Sequence, residues 1–563
     1  MRLLETQRFK KIVLLLVNAC LLGFVFFIVL KFTEHFVGES KKFYFWDNAG
    51  YHDILLSIVD RINTQPKLDT VRDLYHSFSD EISNLFAFPL LLFVYFFGES
   101  RFVFILSLAF CYLLPAVLLS AWLSSSLVTQ LKLVVFWITT YVLILSPFCW
   151  ASIVDGRPDI GGAAIILLAL VLNCPRNSKP RGKVAYFISG ALVSCSLLFR
   201  RHFMLTVPAI GMALFLNPTN TLMTHWTRDR KRWVRLATWS LGVTLILVSV
   251  GLPFVKRYAD SSLRASYASY DVAEGVGASI TAKSFISFYG LAWWLVVVIG
   301  VFCFFKLKKN NVARESGVFL LSFVVFWLIV WVFVGVRSRH NYLITIYWLF
   351  SLTLAWLVQF FNENYNNRKK ATLISIVSLS LMLINLLSLK PSFILGSILF
   401  PANLESQVRT DYDQVMLLVR NLRKIVGKEE KVLVAGSSGI MNEGLLINAE
   451  SQLFGRKKRK LTVMGILHAD SYKHIPIKEI LNADWVVVPS PFQWHMRPDV
   501  QQCVEVLHDA FEKKWSISYD FEQLPETYPL SAGVSVKIYH RKRKTTQPVA
   551  QETEAKMRLR VLK

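Results

Sequence analysis

The chain has 563 residues, of which 54% are hydrophobic and 14% aromatic, while only 18% carry a charge. A water-soluble chain carries about 25% charged residues, so this composition excludes an array of soluble domains, and the high hydrophobicity excludes intrinsic disorder. The seven cysteines are an odd number without a CxxC pair, which excludes a disulfide-stapled scaffold. The class that remains is a polytopic membrane protein. The net charge of +25 is then explained by basic residues that flank membrane helices, and it implies no nucleic-acid partner.

Eleven apolar runs predict membrane spans, because each approaches the length that crosses a bilayer or is bounded by charges. The stronger runs are 12–30, 102–122, 133–150, 236–254, 285–305, 317–336, 342–361 and 371–389. The shorter runs are 160–172, 184–199 and 203–216. Residues 1–390 are therefore predicted to form an all-α membrane domain of about 11 transmembrane helices.

The basic residues predict the orientation of these spans. With a cytoplasmic N-terminus, Lys and Arg are about twice as dense in the inner loops as in the outer loops, which is the required direction. A further apolar run, 85–97, contains Pro89 and would reverse this pattern if it crossed the membrane. We interpret it as a juxtamembrane or re-entrant helix on the outer face. The first outer loop, 31–101, is then long enough to indicate a function.

After Leu389 the pattern changes to alternating strand-like and helix-like stretches. Residues 431–438 and 484–488 predict buried strands, 534–540 an alternating strand, and 498–514 a helix. We therefore predict an α/β domain over residues 391–545, on the extracytoplasmic side by the parity of the spans. The basic tail 546–563 is predicted to be disordered.

Ionisable residues collect in the predicted outer loops, close to the ends of spans. Polar groups near membrane depth are costly and usually have a function. They come from five separate loops, and we predict that they meet in one extracytoplasmic site. The residues are Asp47, Asp155, Asp159, Arg200, Arg201, Lys256, Arg257, Arg337, Arg339 and His340.

Asp47 stands directly after the residues Phe43, Tyr44, Phe45 and Trp46. A carboxylate in such surroundings can be poised by desolvation to accept a proton from an attacking hydroxyl group. The aromatic neighbours suit the faces of sugars or the membrane interface. The structural alternative is that Asp47 caps an interfacial helix. Nearby His52 and Asp53 have no metal-ligand spacing with Asp47, so no metal site is predicted.

Arg200 and Arg201 separate two short spans, where two guanidinium groups can clamp a lipid phosphate. The alternative is a snorkelling pair that stabilises a helical hairpin. Arg339 and His340 repeat the pattern in another outer loop, which favours an anionic substrate such as a lipid phosphate or diphosphate. Asp159 follows Pro158 and is predicted in the first turn of a helix, where the dipole favours a carboxylate. It has a second predicted role in orienting an acceptor or an arginine.

The C-terminal domain carries fewer signals. Gly436 to Gly439 follow a predicted strand without a nucleotide-binding pattern. Gln493, Trp494 and His495 also follow a strand end, where ligands often bind, and a surface loop is the simpler interpretation.

In order and spacing, residues 1–390 resemble the GT-C superfamily of integral-membrane glycosyltransferases, most closely its protein O-mannosyltransferase and aminoarabinose-transferase-like branch. The resemblance is carried by Asp47 in FWDNAGYH, Asp159 in RPDIGGAAIILLAL, Arg200 in FRRHFMLTVP and Arg339 at the start of RHNYL. The chain departs from the family in having Asn48 where a second acidic residue is usual, and an Arg pair where a lysine is usual.

The resemblance implies an inverting transferase that moves a monosaccharide from a polyprenyl-phosphate donor to an acceptor hydroxyl at the outer face of a bacterial inner membrane. Asp47 would be the general base, Asp159 a second catalytic residue, and no cofactor is expected. The acceptor would be a lipid, a glycan or a protein. The predicted substrate-binding residues are Arg200, Arg201, Arg257, Arg339, His340, Tyr342, Tyr51 and His52. The alternatives are a transporter or flippase for lipid-linked sugars and a non-catalytic subunit for polysaccharide assembly.

Overall fold

The computed structural model describes residues 2–38, 41–80, 82–174, 182–216, 230–252, 255–256, 278–308, 312–335, 343–388, 399–401, 408–467, 470 and 473–562. The chain divides into two compact units. The first unit comprises Met1–Gly38, Tyr51–Ala259 and Gly277–Ser406. The second comprises Glu39–Gly50, Asp260–Val276 and Gln407–Lys563.

The first unit is helical throughout its described part. Its α-helices are Arg2–Thr33, Asp47–Thr64 (which begins in the second unit), Lys67–Ser77, Leu91–Phe97, Arg101–Leu108, Leu114–Leu127, Lys132–Ile144, Pro147–Val154, Asp159–Asn173, Lys183–Phe199, Thr206–Leu216, Arg230–Ser249, Ala278–Tyr289, Leu291–Lys306, Val312–Val330, Leu349–Asn364 and Asn367–Ser388. Short 3-10 turns are Asn84–Leu90, Arg201–Leu205 and Ile344–Ile346, and π-helical turns are Glu34–Gly38, Ala109–Leu113 and Trp331–Gly335.

In the part of the chain that the structure describes, all eleven predicted runs fall on helices, which confirms a polytopic membrane protein. Five described helices are long and apolar enough to span a bilayer, and two further pairs do so if each bent pair counts as one span. The five are Lys11–Gly38, Arg101–Leu127, Ser316–Phe333, Ile344–Asn364 and Asn367–Ser388. The pairs are Lys132–Ile144 with Pro147–Val154, bent by 50°, and Ser279–Tyr289 with Leu291–Lys306, bent by 93°.

The four other predicted spans are shorter apolar helices in the structure. They are Asp159–Asn173, Lys183–Phe199, Arg201–Leu216 and Trp233–Ser249. The run that we interpreted as a juxtamembrane element is the apolar helix Asn84–Phe97, of similar length. Helix length alone therefore supports five to seven spans in the described residues, and the predicted number of eleven depends on the shorter helices.

Two glycines let a pair of these helices pack with their backbones in contact. A Cβ atom added to Gly190 would lie 2.1 Å from the carbonyl oxygen of Trp239, and one added to Gly242 would lie 2.2 Å from that of Phe187. Each glycine thus removes the side chain that would separate helices Lys183–Phe199 and Arg230–Ser249 at their crossing. Small residues at such crossings are a common device in membrane proteins, where apolar lipid gives helices little hydrophobic reason to associate.

We expect Gly190→Leu to force these helices apart and to destabilise the protein by about 1–3 kcal/mol, as overpacking of a tight contact does. The measurement is the melting temperature of the purified protein in detergent. Gly23→Leu is the matched control, since a Cβ atom there meets nothing within 4 Å. Equal melting temperatures for the two variants would contradict the close-packing argument.

The second unit is an α/β structure around one five-stranded sheet. Its strands are β1 (Lys431–Val434), β2 (Thr462–Met464), β3 (Trp485–Ser490), β4 (Phe521–Pro529) and β5 (Ser535–Arg541). The spatial order is β2-β1-β3-β5-β4, with β1 parallel to β2 and β3, and β5 antiparallel to β3 and β4. Its α-helices are Tyr412–Ile425, Glu443–Phe454, Ile477–Asn482, Gln502–Glu512 and Gln547–Val561.

Both faces of this sheet are buried, as the apolar strands β1 and β3 require. Val432 and Val434 of β1 point into one core, and Leu433 points into the other. The same alternation in β3 places Val487 in the first core and Val486 in the second. This pattern is typical of parallel strands covered by helices on both sides.

The C-terminal tail is ordered, contrary to the predicted disorder. Residues Gln547–Val561 form a helix whose Met557 and Val561 are buried in one of the two cores. Its Arg560 forms ion pairs with Glu505 and Asp509 on the helix Gln502–Glu512. The basic residues that suggested a solvated tail therefore include one that pairs with acidic residues elsewhere in the domain. Two apolar residues one turn apart form the buried face of the helix.

Candidate active site

Local helix geometry brings Asp159 and Arg200 to adjoining helix ends. Asp159 is the first residue of helix Asp159–Asn173, directly after Pro158. In that position the helix dipole stabilises its carboxylate. Arg200 follows helix Lys183–Phe199 in an extended conformation (φ −152°, ψ 120°), which ends the helix and starts a 3-10 turn.

The two side chains form a buried ion pair. Arg200 donates its Nε–H to Oδ1 of Asp159 at 2.8 Å, and the exposed fractions of the two side chains are 11% and 0%. His202 Nδ1 lies 3.8 Å from the same carboxylate oxygen. A buried carboxylate without a cation would be costly, so this pair fixes the plane of the guanidinium group as well as the contact between the helix ends.

Tyr51 lies beneath the arginine. The guanidinium carbon of Arg200 is 5.1 Å from the centre of the Tyr51 ring, a cation–π distance. The ring packs edge-on against Phe86 at 5.0 Å between centroids. Tyr51 is fully buried, and its hydroxyl makes no hydrogen bond within the described part of the chain. A buried hydroxyl in that state is a group that a bound ligand can satisfy.

A cleft opens beside this cluster, with the two arginines in its wall. Arg201, in this wall, donates from Nη2 to the carbonyl oxygen of Ser79 at 3.1 Å. The lining residues are Phe78, Ile82, Ser83, Leu197, Leu198, Phe199, Arg200 and Arg201. An apolar lining with cationic groups at one wall suits an amphiphile that carries an anionic head.

Other predicted site residues have different positions. The His52 ring stacks on Phe104 at 4.7 Å between centroids. Arg257, Arg339, His340 and Tyr342 lie outside the described residues. Among the residues that the structure describes, no group of three or more His, Cys, Asp or Glu side chains is placed to hold a metal ion.

Asp47 belongs to the second unit and begins the helix Asp47–Thr64. The N–H groups of Ala49 and Gly50 both bond to the carbonyl oxygen of Trp46, which has the left-handed φ of 50°. Asp47 is thus the first residue of the helix, one position after the cap position that we gave it as the structural alternative. This position coexists with any chemical role of the carboxylate, whose side chain remains partly exposed.

The segment before Asp47 is anchored in the second unit by Phe43. Phe43 is fully buried in one of the two cores of the sheet and stacks on Tyr412 at 4.7 Å, with an angle of 3° between the rings. Backbone bonds continue the attachment: the Arg409 N–H donates to the Lys41 carbonyl oxygen, and the Tyr44 N–H to Oδ1 of Asn448. The aromatic run was predicted to suit the faces of sugars or the membrane interface, whereas the structure buries Phe43 in a core of the sheet.

An ion pair of the second unit lies next to Phe43. Arg409 donates to both carboxylate oxygens of Asp411, and its guanidinium carbon lies 6.0 Å from the centre of the Phe43 ring. Burial raises the pKa of Asp411, but the hydrogen bonds from Arg409 and from the Ser531 N–H outweigh it, so the pKa lies below its usual value.

A second polar cluster lies in the same unit. Ser437 and Gln501 are fully buried, and both are in hydrogen-bond contact with the half-buried His495. The segment that contains His495 is a partly exposed loop, as predicted, and two buried side chains hold its histidine ring. Gln501 had no local signal in the sequence, because a glutamine at this position gives no indication of burial.

Comparisons with known proteins give a likeness in structure alone. No family model matches the chain, and no curated protein matches it. The crystal structure of ArnT from Cupriavidus metallidurans bound to undecaprenyl phosphate matches with a TM-score of 0.45 and 12% identity, over 94% of this chain and 99% of that chain. The apo state of the same protein matches with a TM-score of 0.45 and 13% identity, over 94% and 98%.

At this identity the likeness assigns no role to any residue of the chain.

We expect Asp159→Ala to destabilise the protein by about 3–5 kcal/mol, because it leaves the Arg200 guanidinium buried beside an apolar wall without its carboxylate. The double variant with Arg200→Ala should recover part of the loss. Thermal unfolding in detergent measures both. The matched control is Asp73→Ala, whose exposed partner Arg61 is 42% accessible, and it should cost about 0–1 kcal/mol. Additive losses in the double variant would contradict the coupling.

We expect Phe43→Ala to release the segment before Asp47, because emptying a buried aromatic site costs about 3–5 kcal/mol. The measurement is the rate of tryptic cleavage after Lys41 and Lys42, which should rise in the alanine variant. Phe43→Leu keeps most of the buried volume and should be cleaved nearly as slowly as the natural protein. Cleavage of the alanine variant at the natural rate would show that Phe43 does not anchor this segment.

Proposed function

We propose that the chain is a glycosyltransferase that uses a monosaccharide linked to a polyprenyl phosphate. The observation that carries this proposal is a cleft that is lined mainly by apolar residues and has Arg200 and Arg201 in its wall. An apolar lining accepts isoprenoid carbons, and the guanidinium groups neutralise a phosphate. Lipid phosphates of this kind are the donors of the enzyme branch that the ordered motifs of the sequence resemble. Undecaprenyl phosphate, the ligand of one ArnT crystal structure, belongs to the same chemical class.

In the proposed reaction, the acceptor oxygen attacks the anomeric carbon of the sugar while the bond from that carbon to the phosphate oxygen breaks. Asp47 takes the proton from the acceptor hydroxyl, and polyprenyl phosphate leaves with the bonding electrons. Attack opposite the leaving group inverts the anomeric configuration. Arg200 and Arg201 stabilise the charge that grows on the phosphate as the bond breaks.

Asp159 acts through Arg200 as a positioning residue. Its carboxylate accepts a hydrogen bond from the Nε–H of Arg200 at 2.8 Å. The guanidinium group therefore keeps one orientation and does not reorganise during the reaction. Tyr51 packs under the same guanidinium, and its hydroxyl is a further candidate donor to a phosphate oxygen. The site is proposed to lie at the extracytoplasmic face of a bacterial inner membrane, as the distribution of basic residues favours.

We expect undecaprenyl phosphate to raise the melting temperature of the purified protein more than undecaprenol does, because only the phosphate interacts with the arginines. Arg200→Gln should abolish this difference. Asp47→Asn should retain it, yet lower the release of undecaprenyl phosphate from undecaprenyl-phosphate sugars in membranes by about 10²–10⁴-fold, the loss expected for a general base.

Two matched controls accompany this experiment. Arg61→Gln removes a half-exposed guanidinium elsewhere in the first unit, and Asp60→Asn removes a carboxylate from the same helix as Asp47. Both should behave as the natural protein. Equal stabilisation by the alcohol and the phosphate would remove the donor proposal. Unchanged turnover in Asp47→Asn would remove the general base and would return the transporter and assembly-subunit alternatives.

A further inference from the structure

Helix Arg230–Ser249 of the first unit buries a cation that the proposed reaction does not use. Arg235 is only 7% exposed, and neither Nε nor Nη2 of its guanidinium group has a hydrogen-bond partner in the described part of the chain. These two atoms form one edge of the group, and such an edge binds two oxygens of a phosphate or carboxylate side by side. A guanidinium group cannot lose its charge in a protein, so its burial without a counterion is costly. A bound anion would remove that cost.

The helices around Arg235 do not supply the anion. Helix Arg230–Ser249 packs against helices Lys183–Phe199 and Thr206–Leu216, and none of the three sequences contains Asp or Glu. The helix of Arg235 starts instead with the sequence RKRWVR, which adds further positive charge. The counterion is therefore expected from outside these helices.

A second donor lies on the same face of the helix, one turn further along. Trp239 follows Arg235 by four residues and is 4% exposed, and its indole N–H also lacks a partner among the described residues. Its ring lies beside helix Thr206–Leu216, since a Cβ atom added to Gly211 would lie 3.9 Å from its Cζ3 atom. The two unpartnered donors are thus on the face of the helix that its neighbours cover.

Exposed side chains of the same helix indicate the level of the membrane. Trp233 is 64% exposed, and an exposed indole at the end of a span is typical of the interface between lipid and water. Leu241 and Leu245, further along, are exposed apolar residues suited to acyl chains. Arg235 is two residues beyond Trp233, about 3 Å along the helix axis. Its long side chain therefore lies within reach of the phosphate groups of the lipid.

We propose that Arg235 and Trp239 form a binding site for the phosphate group of a membrane phospholipid. The Nε and Nη2 edge binds two phosphate oxygens after a rotamer change turns it to the lipid. The indole N–H donates to an ester carbonyl oxygen, which lies on the acyl-chain side of the phosphate in a phospholipid. The orientation predicted from the basic residues places the site in the cytoplasmic leaflet. An anionic lipid is favoured, because the basic start of the helix repels a cationic headgroup.

This site is separate from the proposed donor cleft. Trp239 meets Gly190 of helix Lys183–Phe199, and the two helices run parallel. Arg235, one turn before Trp239, is therefore beside the start of that helix, whereas Arg200 follows its end. The two arginines are about 20 Å apart along the helix axis.

The test adds lipids to the delipidated full-length protein in detergent and measures its melting temperature. The probes are phosphatidylglycerol, phosphatidylcholine, diacylglycerol with the same acyl chains, and inorganic phosphate. We expect phosphatidylglycerol to raise the melting temperature most and diacylglycerol least, because diacylglycerol has no anion to bind the guanidinium group. Inorganic phosphate should have no effect at the same concentration. Equal stabilisation by inorganic phosphate and phosphatidylglycerol would overturn the assignment to a lipid.

Variants of Arg235 separate lipid binding from a structural role. Arg235→Met should melt no lower than the natural protein when delipidated, because it removes a buried charge that has no counterion. It should also lower the apparent affinity for phosphatidylglycerol by at least about tenfold. Arg235→Lys keeps the charge without the planar edge and should retain part of the affinity. A much lower melting temperature of delipidated Arg235→Met would show a partner inside the protein and would overturn the proposal.

Two further variants complete the test. Trp239→Phe removes the N–H and keeps a ring, and it should lower the affinity by about threefold, the loss of one hydrogen bond. Lys183→Gln is the matched control, since Lys183 is an exposed cation at the start of the neighbouring helix. It should bind phosphatidylglycerol as the natural protein does. An equal loss of affinity in Lys183→Gln and Arg235→Met would indicate attraction by overall charge and would contradict a built site.

The outcome is distinguishable from that of the donor experiment. Arg235→Met should keep the difference between undecaprenyl phosphate and undecaprenol, and Arg200→Gln should keep the difference between phosphatidylglycerol and diacylglycerol. If Arg235→Met abolishes the undecaprenyl phosphate effect, the two sites are not separate and this proposal is wrong. If the natural protein shows the undecaprenyl phosphate effect but no preference for phosphatidylglycerol, the phospholipid site is wrong and the proposed function stands.

Discussion

The first unit depends on an ion pair that compensates for a charge buried inside an apolar helical structure. The carboxylate of Asp159 has no exposure, and such a group is tolerated only with a cation and hydrogen bonds to compensate for lost hydration. Arg200 supplies both, because its residue ends one helix where Asp159 begins another. The same contact that makes the helix ends compatible places the guanidinium group at an apolar cleft, so stability and the proposed recognition of a phosphate depend on one interaction.

The helices of this unit could be predicted because their signal is local. Each apolar run falls on one helix or on two consecutive helices, and Asp159 after Pro158 defines the first turn of another. The strands β1, β3 and β5 were predictable for the same reason. Strand β4 was not, since its residues are mostly exposed and include Pro525, so that no apolar alternation marks it. The ordered C-terminal helix was missed because its acidic partners stand some fifty positions earlier in the chain.

The residues of the candidate sites also divide into those that the sequence predicted and those that only tertiary packing brings together. The order of acidic and basic motifs predicted that Asp159 and Arg200 belong together, although they are 41 positions apart. Nothing in the sequence connects Trp46 to His495 or Phe43 to Tyr412, because those contacts join the two ends of the chain through tertiary packing alone. An aromatic residue next to a membrane span is compatible with lipid, with a sugar or with a protein core, and composition does not distinguish these environments.

The burial of Phe43 has a consequence for biosynthesis. The ring shares one core with Val415 and with Ile538 of the last strand, so that core cannot close until nearly the whole polypeptide has been made. The early segment must meanwhile stay accessible on the same side of the membrane as its late partner. A C-terminal fragment produced alone would leave an apolar hole where the ring belongs, and such exposed surface promotes aggregation. Maturation of the second unit is thereby tied to completed insertion of the helices encoded between its two parts.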